Sequence, residues 1–153
     1  MEKKEMIYEG KAKKIFGTEK DNQVIVHFKD DATAFDGQKK GQIAEKGMIN
    51  NKISNFFFNL LEEKGIKTHL LEELNERDSL VKKVEIIPLE VVMRNIAAGS
   101  LAKRIGMEEG KALRQPVIEF YYKNDELGDP LLNISHIELL ELAGREELER
   151  LIA

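Results

Sequence analysis

The chain has 153 residues, 42% hydrophobic and 34% charged, enough for one domain or for a compact core with a small lobe. Its net charge of −4 excludes a whole-chain field that attracts nucleic acid, so any anion site must be local. The absence of cysteine excludes thiol catalysis, disulfides and thiolate zinc sites, and no apolar run reaches membrane length. The opening Met-Glu-Lys-Lys-Glu lacks the apolar segment of a secretion signal, so the expectation is a cytoplasmic protein with neither membrane nor nucleic acid as partner.

Met6 to Glu9 and Ala12 to Thr18 read as short strands around Gly10, and Val24 to Lys29 as a clearer one in which Val24, Val26 and Phe28 alternate against Ile25, His27 and Lys29. The polar Glu19-Lys20-Asp21-Asn22 turn makes an antiparallel meander of them. Lys11 and Lys13 would share one strand face beside Gly10, where two ammonium groups suit a polyphosphate; edge protection or solvation is the ordinary alternative. His27 reads as structural. The loop from Lys29 to Lys40 holds Asp30, Asp31 and Asp36 and a turn at Asp36-Gly37, without the spacing of a calcium loop. The helix after it carries Ile49, Ile53, Phe56, Phe57, Leu60 and Leu61 at helical spacing, a stripe expected to be core, and Gly65 fits its C′ position. Asn50 and Asn51, in its first turns, suit either a ligand or a loop.

Lys67 to Leu71 and Leu80 to Ile87 read as strands, and Pro88 opens a third, Leu89 to Met93. Arg94 and Asn95 are then expected just past a buried run, before Ala97-Ala98-Gly99-Ser100, with Ser100 as N-cap of a helix from Leu101. A guanidinium, a small-residue loop and a helix N-terminus form an anion-site pattern; a strand end, a turn and a capped surface helix explain it equally well. Val117 to Tyr122 after Pro116 is a strand by composition. Asp129, Asn133 and His136 fit an Asx turn and a helix cap better than a metal site. Ile137 to Leu142 and the segment from Arg145 read as helices, the last with an apolar stripe of Leu148, Leu151 and Ile152 that is expected to be partly exposed. Such a patch favours self-association into a homo-oligomer or binding of a further segment.

Tyr8-Glu9-Gly10-Lys11-Ala12-Lys13, Asp36-Gly37, Lys46-Gly47-Met48-Ile49-Asn50-Asn51, Pro88 through Arg104 and Gly128-Asp129-Pro130 occur in this order. Together they closely resemble the phosphoribosylaminoimidazole-succinocarboxamide synthase (SAICAR synthetase) family, and Val-Val-Met-Arg-Asn-Ile-Ala-Ala-Gly-Ser is the most specific string. The resemblance implies an α+β fold. Residues 1–87 would be a nucleotide-binding lobe with an antiparallel sheet like the small lobe of protein kinases and a long helix. Residues 88–153 would begin an ATP-grasp-like second lobe, α/β in character and incomplete at the C-terminus.

It also implies an ATP-dependent ligase of purine biosynthesis. That enzyme joins L-aspartate to carboxyaminoimidazole ribonucleotide through an acyl phosphate, with ATP and magnesium. Lys11, Ala12 and Lys13 would line the ATP phosphates, and backbone around Lys82 to Glu85, with Lys82 and Val84, would meet the adenine. Lys123 would lie near the nucleotide. Asp36, Gly37, Arg94, Gly99 and Ser100 would hold the imidazole ribonucleotide. The family continues past this length, with Asp, Lys and Glu on a strand and a further Asp that serve magnesium and ATP. The chain therefore reads as the N-terminal two-thirds, with no metal ligands of its own and no competence as an isolated ligase. An ATP-dependent phosphotransferase and a non-catalytic nucleotide-binding module are the rival readings.

Overall fold

Runs of β-branched and aromatic residues, which suit a pleated half-buried surface, build the longest strands. The computed structural model describes residues 2–34 and 39–152 and divides into two units, Met1–Glu85 and Ile86–Ala153. The first unit contains β1 (Met6–Glu9), β2 (Lys13–Gly17), β3 (Gln23–Phe28), β4 (Asp31–Ala34), β5 (Lys39–Gln42), α1 (Lys46–Glu63), β6 (Leu70–Glu73) and β7 (Asp78–Lys82). Five of these strands form an antiparallel sheet in the order β1-β2-β3-β7-β6, and β4 and β5 pair separately. The expected meander is present, as β1-β2-β3. Lys13 lies opposite Phe28, Ile15 opposite Val26 and Gly17 opposite Val24, so these residues share one face. Val24, Val26, Phe28, Leu70 and Val81 make the core of this unit, with Ile15 and Phe58 packed against it.

The apolar stripe of α1 is not core. Ile49, Ile53, Phe56, Phe57, Leu60 and Leu61 are all exposed, Phe56 at 64%. The helix instead turns Gly47, Asn51 and Asn55 inward, at the i, i+4, i+8 spacing of one face. Asn51 is 0% exposed and its Nδ2 donates to the Asn75 carbonyl at 3.0 Å, while the Ser79 hydroxyl on β7 lies 2.7 Å from Asn51 Oδ1 and 3.0 Å from Asn55 Oδ1. Asn51 therefore serves a loop. Gly47 is where helix and sheet approach most closely: a Cβ there would lie 2.4 Å from the Phe28 carbonyl oxygen and 2.6 Å from Arg77 Nη1. As expected, α1 ends with Gly65 at φ +83°.

The second unit contains β8 (Leu89–Ile96), α2 (Gly99–Ile105), β9 (Ala112–Tyr122), β10 (Leu131–Leu132), α3 (Ile134–Leu139) and α4 (Arg145–Ile152), with an antiparallel sheet ordered β10-β9-β8. On β9, Phe120 joins Ile137, Ala143 and Leu148 in the core, flanked by Ile118 of the same strand and by Ile87, Leu89 and Leu132. The alternate residues Val117, Glu119 and Tyr121 take the other face, which Arg94 shares because it pairs with Val117.

Other expectations give way as well. The polar segment Lys29 to Lys40, expected to be a loop, contains β4 and the start of β5, because Asp31–Ala34 pairs with Lys39–Gln42. Arg94 and Asn95 lie within β8, not beyond it, because pairing with β9 continues to Ile96 across an irregularity. Pro116 sits inside β9 rather than ahead of it. Ser100 is not an N-cap: α2 starts at Gly99, its N-cap is Ala98 with no side-chain bond, and the Gly99 amide donates to Glu109 Oε1 at 3.0 Å. Gly99 takes φ +53°, a left-handed turn that a side chain would strain. Asn133 caps α3 and forms a capping box with His136, as its spacing suggested. In α4, Leu148 is buried while Leu151 and Ile152 are exposed. Among the described residues, no helix is long and apolar enough to cross a membrane.

Candidate functional site

In the second unit, side chains from three elements meet on the polar face of β9. Glu119, 6% exposed, is the centre. Its Oε2 accepts from Arg94 Nε at 2.6 Å and from the Tyr121 hydroxyl at 3.0 Å, and its Oε1 accepts from Arg104 Nη2 of α2. Arg94 Nη2 donates in turn to Ser100 Oγ at 3.2 Å and to the Tyr121 oxygen at 3.4 Å. Arg94 and Glu119 are diagonal neighbours across the β8–β9 ladder, a separation that long side chains bridge. Burial pushes the Glu119 carboxyl up, but the bonds from Arg94 and Tyr121 and the charges of both arginines outweigh it and hold it below its ordinary value. Glu119 raises the Arg94 pKa in return. Two guanidiniums around one carboxylate leave a net positive charge, and both arginines remain partly open to solvent. The arrangement suits an anion.

Of the residues expected to hold the ribonucleotide, the structure brings Arg94 and Ser100 together and places Gly99 beside Ser100. Asp36 and Gly37 lie outside the described residues. Lys123 pairs with Asp129 and, at 3.5 Å, with Glu90. Glu90 is four residues from Arg94 on the same face of β8, roughly 13 Å along the strand. Asp129, the largest influence, and then Glu90 raise the Lys123 pKa.

The first unit has a cleft of about 600 Å³ lined by Gly10, Lys11, Lys29, Asp31, Ala32, Gly41 and Gln42. Lys11 precedes β2 instead of lying in it, so Lys11 and Lys13 do not share a strand face as expected. The Lys29 ammonium donates to Glu9 at 2.6 Å and to the Gly10 carbonyl at 3.3 Å, and pairs with Asp31 at 2.6 Å. Asp31 first and Glu9 second raise its pKa, so it keeps its charge. Lys13 is not among the residues that line this cleft: its ammonium lies 4.9 Å from the centre of the Phe28 ring, and burial lowers its pKa. Lys13 and Lys82 both lie near enough to His69 to lower its pKa by charge, after the larger effect of burial. Lys82 Nζ also donates to the Thr68 carbonyl at 3.3 Å, and Val84, just beyond β7, is exposed. Ala12 accepts through its carbonyl from the Lys29 amide at 2.8 Å, which fastens the Gly10–Lys13 loop to the end of β3. His27 bonds Asp78 at 2.7 Å and is structural as expected.

Glu119, Arg104, Tyr121 and Lys29 were not singled out in the sequence. Glu119 had a signal: it is the one charged residue in the apolar run Val117 to Tyr122. An acid in such a run is affordable only where cations meet it.

The fold and these sites define an α+β protein with a cation-bearing cleft in one unit and a guanidinium site in the other. A family model described as SAICAR synthetase matches residues 6–153. The phosphoribosylaminoimidazole-succinocarboxamide synthase of Clostridium botulinum (strain Alaska E43 / Type E3) is 57% identical over 152 residues, covering 99% of this chain and 65% of that relative. The solved synthase from Ehrlichia chaffeensis matches with a TM-score of 0.91 and 52% identity, over 96% of this chain and 62% of that one. A SAICAR synthetase (Type-2) in complex with ADP matches with a TM-score of 0.88 and 48% identity, over 94% and 61%. The chain belongs to the SAICAR synthetase family. It spans 63–65% of the length of the curated relatives it matches.

Proposed function

We propose that this chain supplies the ATP-binding and ribonucleotide-binding parts of a cytoplasmic carbon–nitrogen ligase of purine biosynthesis. In that reaction a carboxylate oxygen of carboxyaminoimidazole ribonucleotide attacks the γ-phosphorus of ATP, forming an acyl phosphate and releasing ADP. The amine of L-aspartate then attacks the acyl carbon and expels phosphate, which gives SAICAR. Family membership across residues 6–153 carries this reading, and the ADP complex of a relative at 48% identity supports the nucleotide.

Residues 1–87 form the nucleotide lobe of this reading and 88–153 begin an ATP-grasp-like lobe. Lys11, Ala12 and Lys13 attend the phosphates, Lys82 and Val84 the adenine, and Lys123 the nucleotide's surroundings. Asp36, Gly37, Arg94, Gly99 and Ser100 hold the ribonucleotide. Cationic groups on phosphate oxygens are what phosphoryl transfer asks of a protein, since its catalysis is mostly positioning and charge stabilisation. Magnesium belongs to the reading as the counter-ion of ATP. Among the described residues no three His, Cys, Asp or Glu side chains converge to hold a metal.

Titrating the chain separately with ATP and with carboxyaminoimidazole ribonucleotide tests this. The ligase reading expects both to bind. Binding of ATP alone would point to a phosphotransferase, and binding of neither to an interaction module.

A further inference from the structure

Arg104 and Glu119 have no part in the ribonucleotide site as proposed, yet they carry the geometry of Arg94. We propose that Glu119 is a positioning residue that holds Arg94 and Arg104 as a two-guanidinium site for an oxyanion of the ribonucleotide. The inference rests on the ribonucleotide reading above and adds one contacting residue, Arg104, and one positioning residue, Glu119.

Each part of the cluster constrains the next. Arg94 spends Nε on Glu119 and Nη2 on Ser100 and Tyr121, which fixes the plane of its guanidinium. Among the described residues its Nη1 has no partner. Arg104 reaches the opposite carboxylate oxygen from α2, so one buried acid sets the spacing of two cations on different elements. Without that acid the guanidiniums would repel one another and swing into solvent. With it, the cluster keeps an excess of one positive charge and leaves Nη1 of Arg94 and the remaining donors of Arg104 to meet a phosphate or carboxylate oxygen. Stability alone is a weak reason for such a cluster, because apolar residues of similar volume often serve a buried position as well as an ion pair does. The Tyr121 hydroxyl accepts a hydrogen bond from Arg94 Nη2 and donates its own to Glu119 Oε2, so the acid is engaged without using the outward donors of the arginines.

The test measures ribonucleotide and ATP affinity by calorimetry on the 153-residue chain, its Glu119→Gln variant and its Arg104→Gln variant. Both variants should weaken the ribonucleotide by about tenfold or more, the worth of one hydrogen bond to a charged group. ATP affinity should not change. In the unmodified chain, the Arg94 Nε–H resonance should carry the downfield shift of a charge-assisted bond, and Glu119→Gln should remove it. Ligands lacking either the ring carboxylate or the 5′-phosphate identify the oxyanion, because the variants lose their effect only on the ligand whose relevant group is missing. Failure of the unmodified chain to bind the ribonucleotide would defeat the ribonucleotide reading itself. Tight binding that neither variant alters would defeat the positioning role alone. Arg104 is exposed at the edge of α2, so Arg104→Gln tests the contact without risk to the fold. Glu119→Asp, which keeps the charge but shortens its reach, tests the positioning if Glu119→Gln fails to fold: unchanged ribonucleotide affinity in that variant would overturn it.

Discussion

Asp30 accepts two bonds from Arg77, at 2.6 and 2.9 Å, and a third from the Gly47 amide at 2.8 Å. The Arg77 bond first, and then the Gly47 amide, lower its carboxyl from 3.8 to about 2. A depressed pKa of this kind contributes stability that is complete above the unfolded value and is lost as pH falls through the folded one. That loss should therefore run from about pH 4 down to about pH 2. Thermal melts of the wild type and Asp30→Asn should differ most at neutral pH and converge in that window; an equal gap at all pH values would separate the pairing from the acid response. At the anion site, Arg94→Lys keeps the charge but loses the fork that contacts Glu119 and Ser100 together. It should weaken ribonucleotide binding about tenfold or more while ATP binding holds. In the nucleotide unit, Lys11→Ala and Lys13→Ala should each weaken ATP. Lys13→Ala should also cost stability, by about 0.5–1 kcal/mol, because its ammonium lies over the Phe28 ring. Calorimetry paired with melting curves separates the two effects.

At the scale of the element, α1 shows how a helix can face opposite to its hydrophobic pattern. Its inner face is made of a glycine and two amides because the sheet offers a backbone carbonyl at Phe28 and a hydroxyl at Ser79. Gly47→Ala should lower stability by about 1–3 kcal/mol or more, since the new methyl meets backbone that cannot move without disturbing the Asp30–Arg77 pair. The outer face predicts the reverse. Phe56→Ala should cost less than about 1 kcal/mol, whereas Phe120→Ala in the buried core of the second unit should cost about 3–5 kcal/mol. Denaturant unfolding followed separately for each variant checks the contrast, and equal losses would mean that the α1 stripe is covered in solution. In the second unit, β8 runs on through Arg94 because its partner β9 continues opposite it, and this places the guanidinium on a rigid strand.

For the whole molecule, an acidic chain with two local cationic sites should bind small anions without general affinity for polyanions, so an unrelated duplex DNA should not compete with ATP or ribonucleotide in the calorimeter. The β1-β2-β3 meander, most of β9, the end of α1 at Gly65 and the Asn133 cap were legible in the sequence, because alternation, caps and turns are local properties of the chain. The strands β4 and β5, built from the polar Asp31–Ala34 and Lys39–Gln42, were not, because they are strands only by pairing with each other. Family membership was legible too, in the order of its motifs and above all in Val91 to Ser100. The sequence by itself could also show that Arg94 and Ser100 belong to one segment. Which face of α1 is buried was decided only by tertiary structure: Asn51 and Asn55 go inward because Ser79, more than twenty residues away, gives them hydrogen bonds, and the apolar residues opposite follow by geometry. The roles of Glu119 and Arg104 were decided in the same way. A carboxylate on β9 becomes the centre of an anion site only when an antiparallel ladder brings Arg94 diagonally opposite it and α2 delivers Arg104 to its other oxygen, a convergence of long-range contacts that no local spacing encodes.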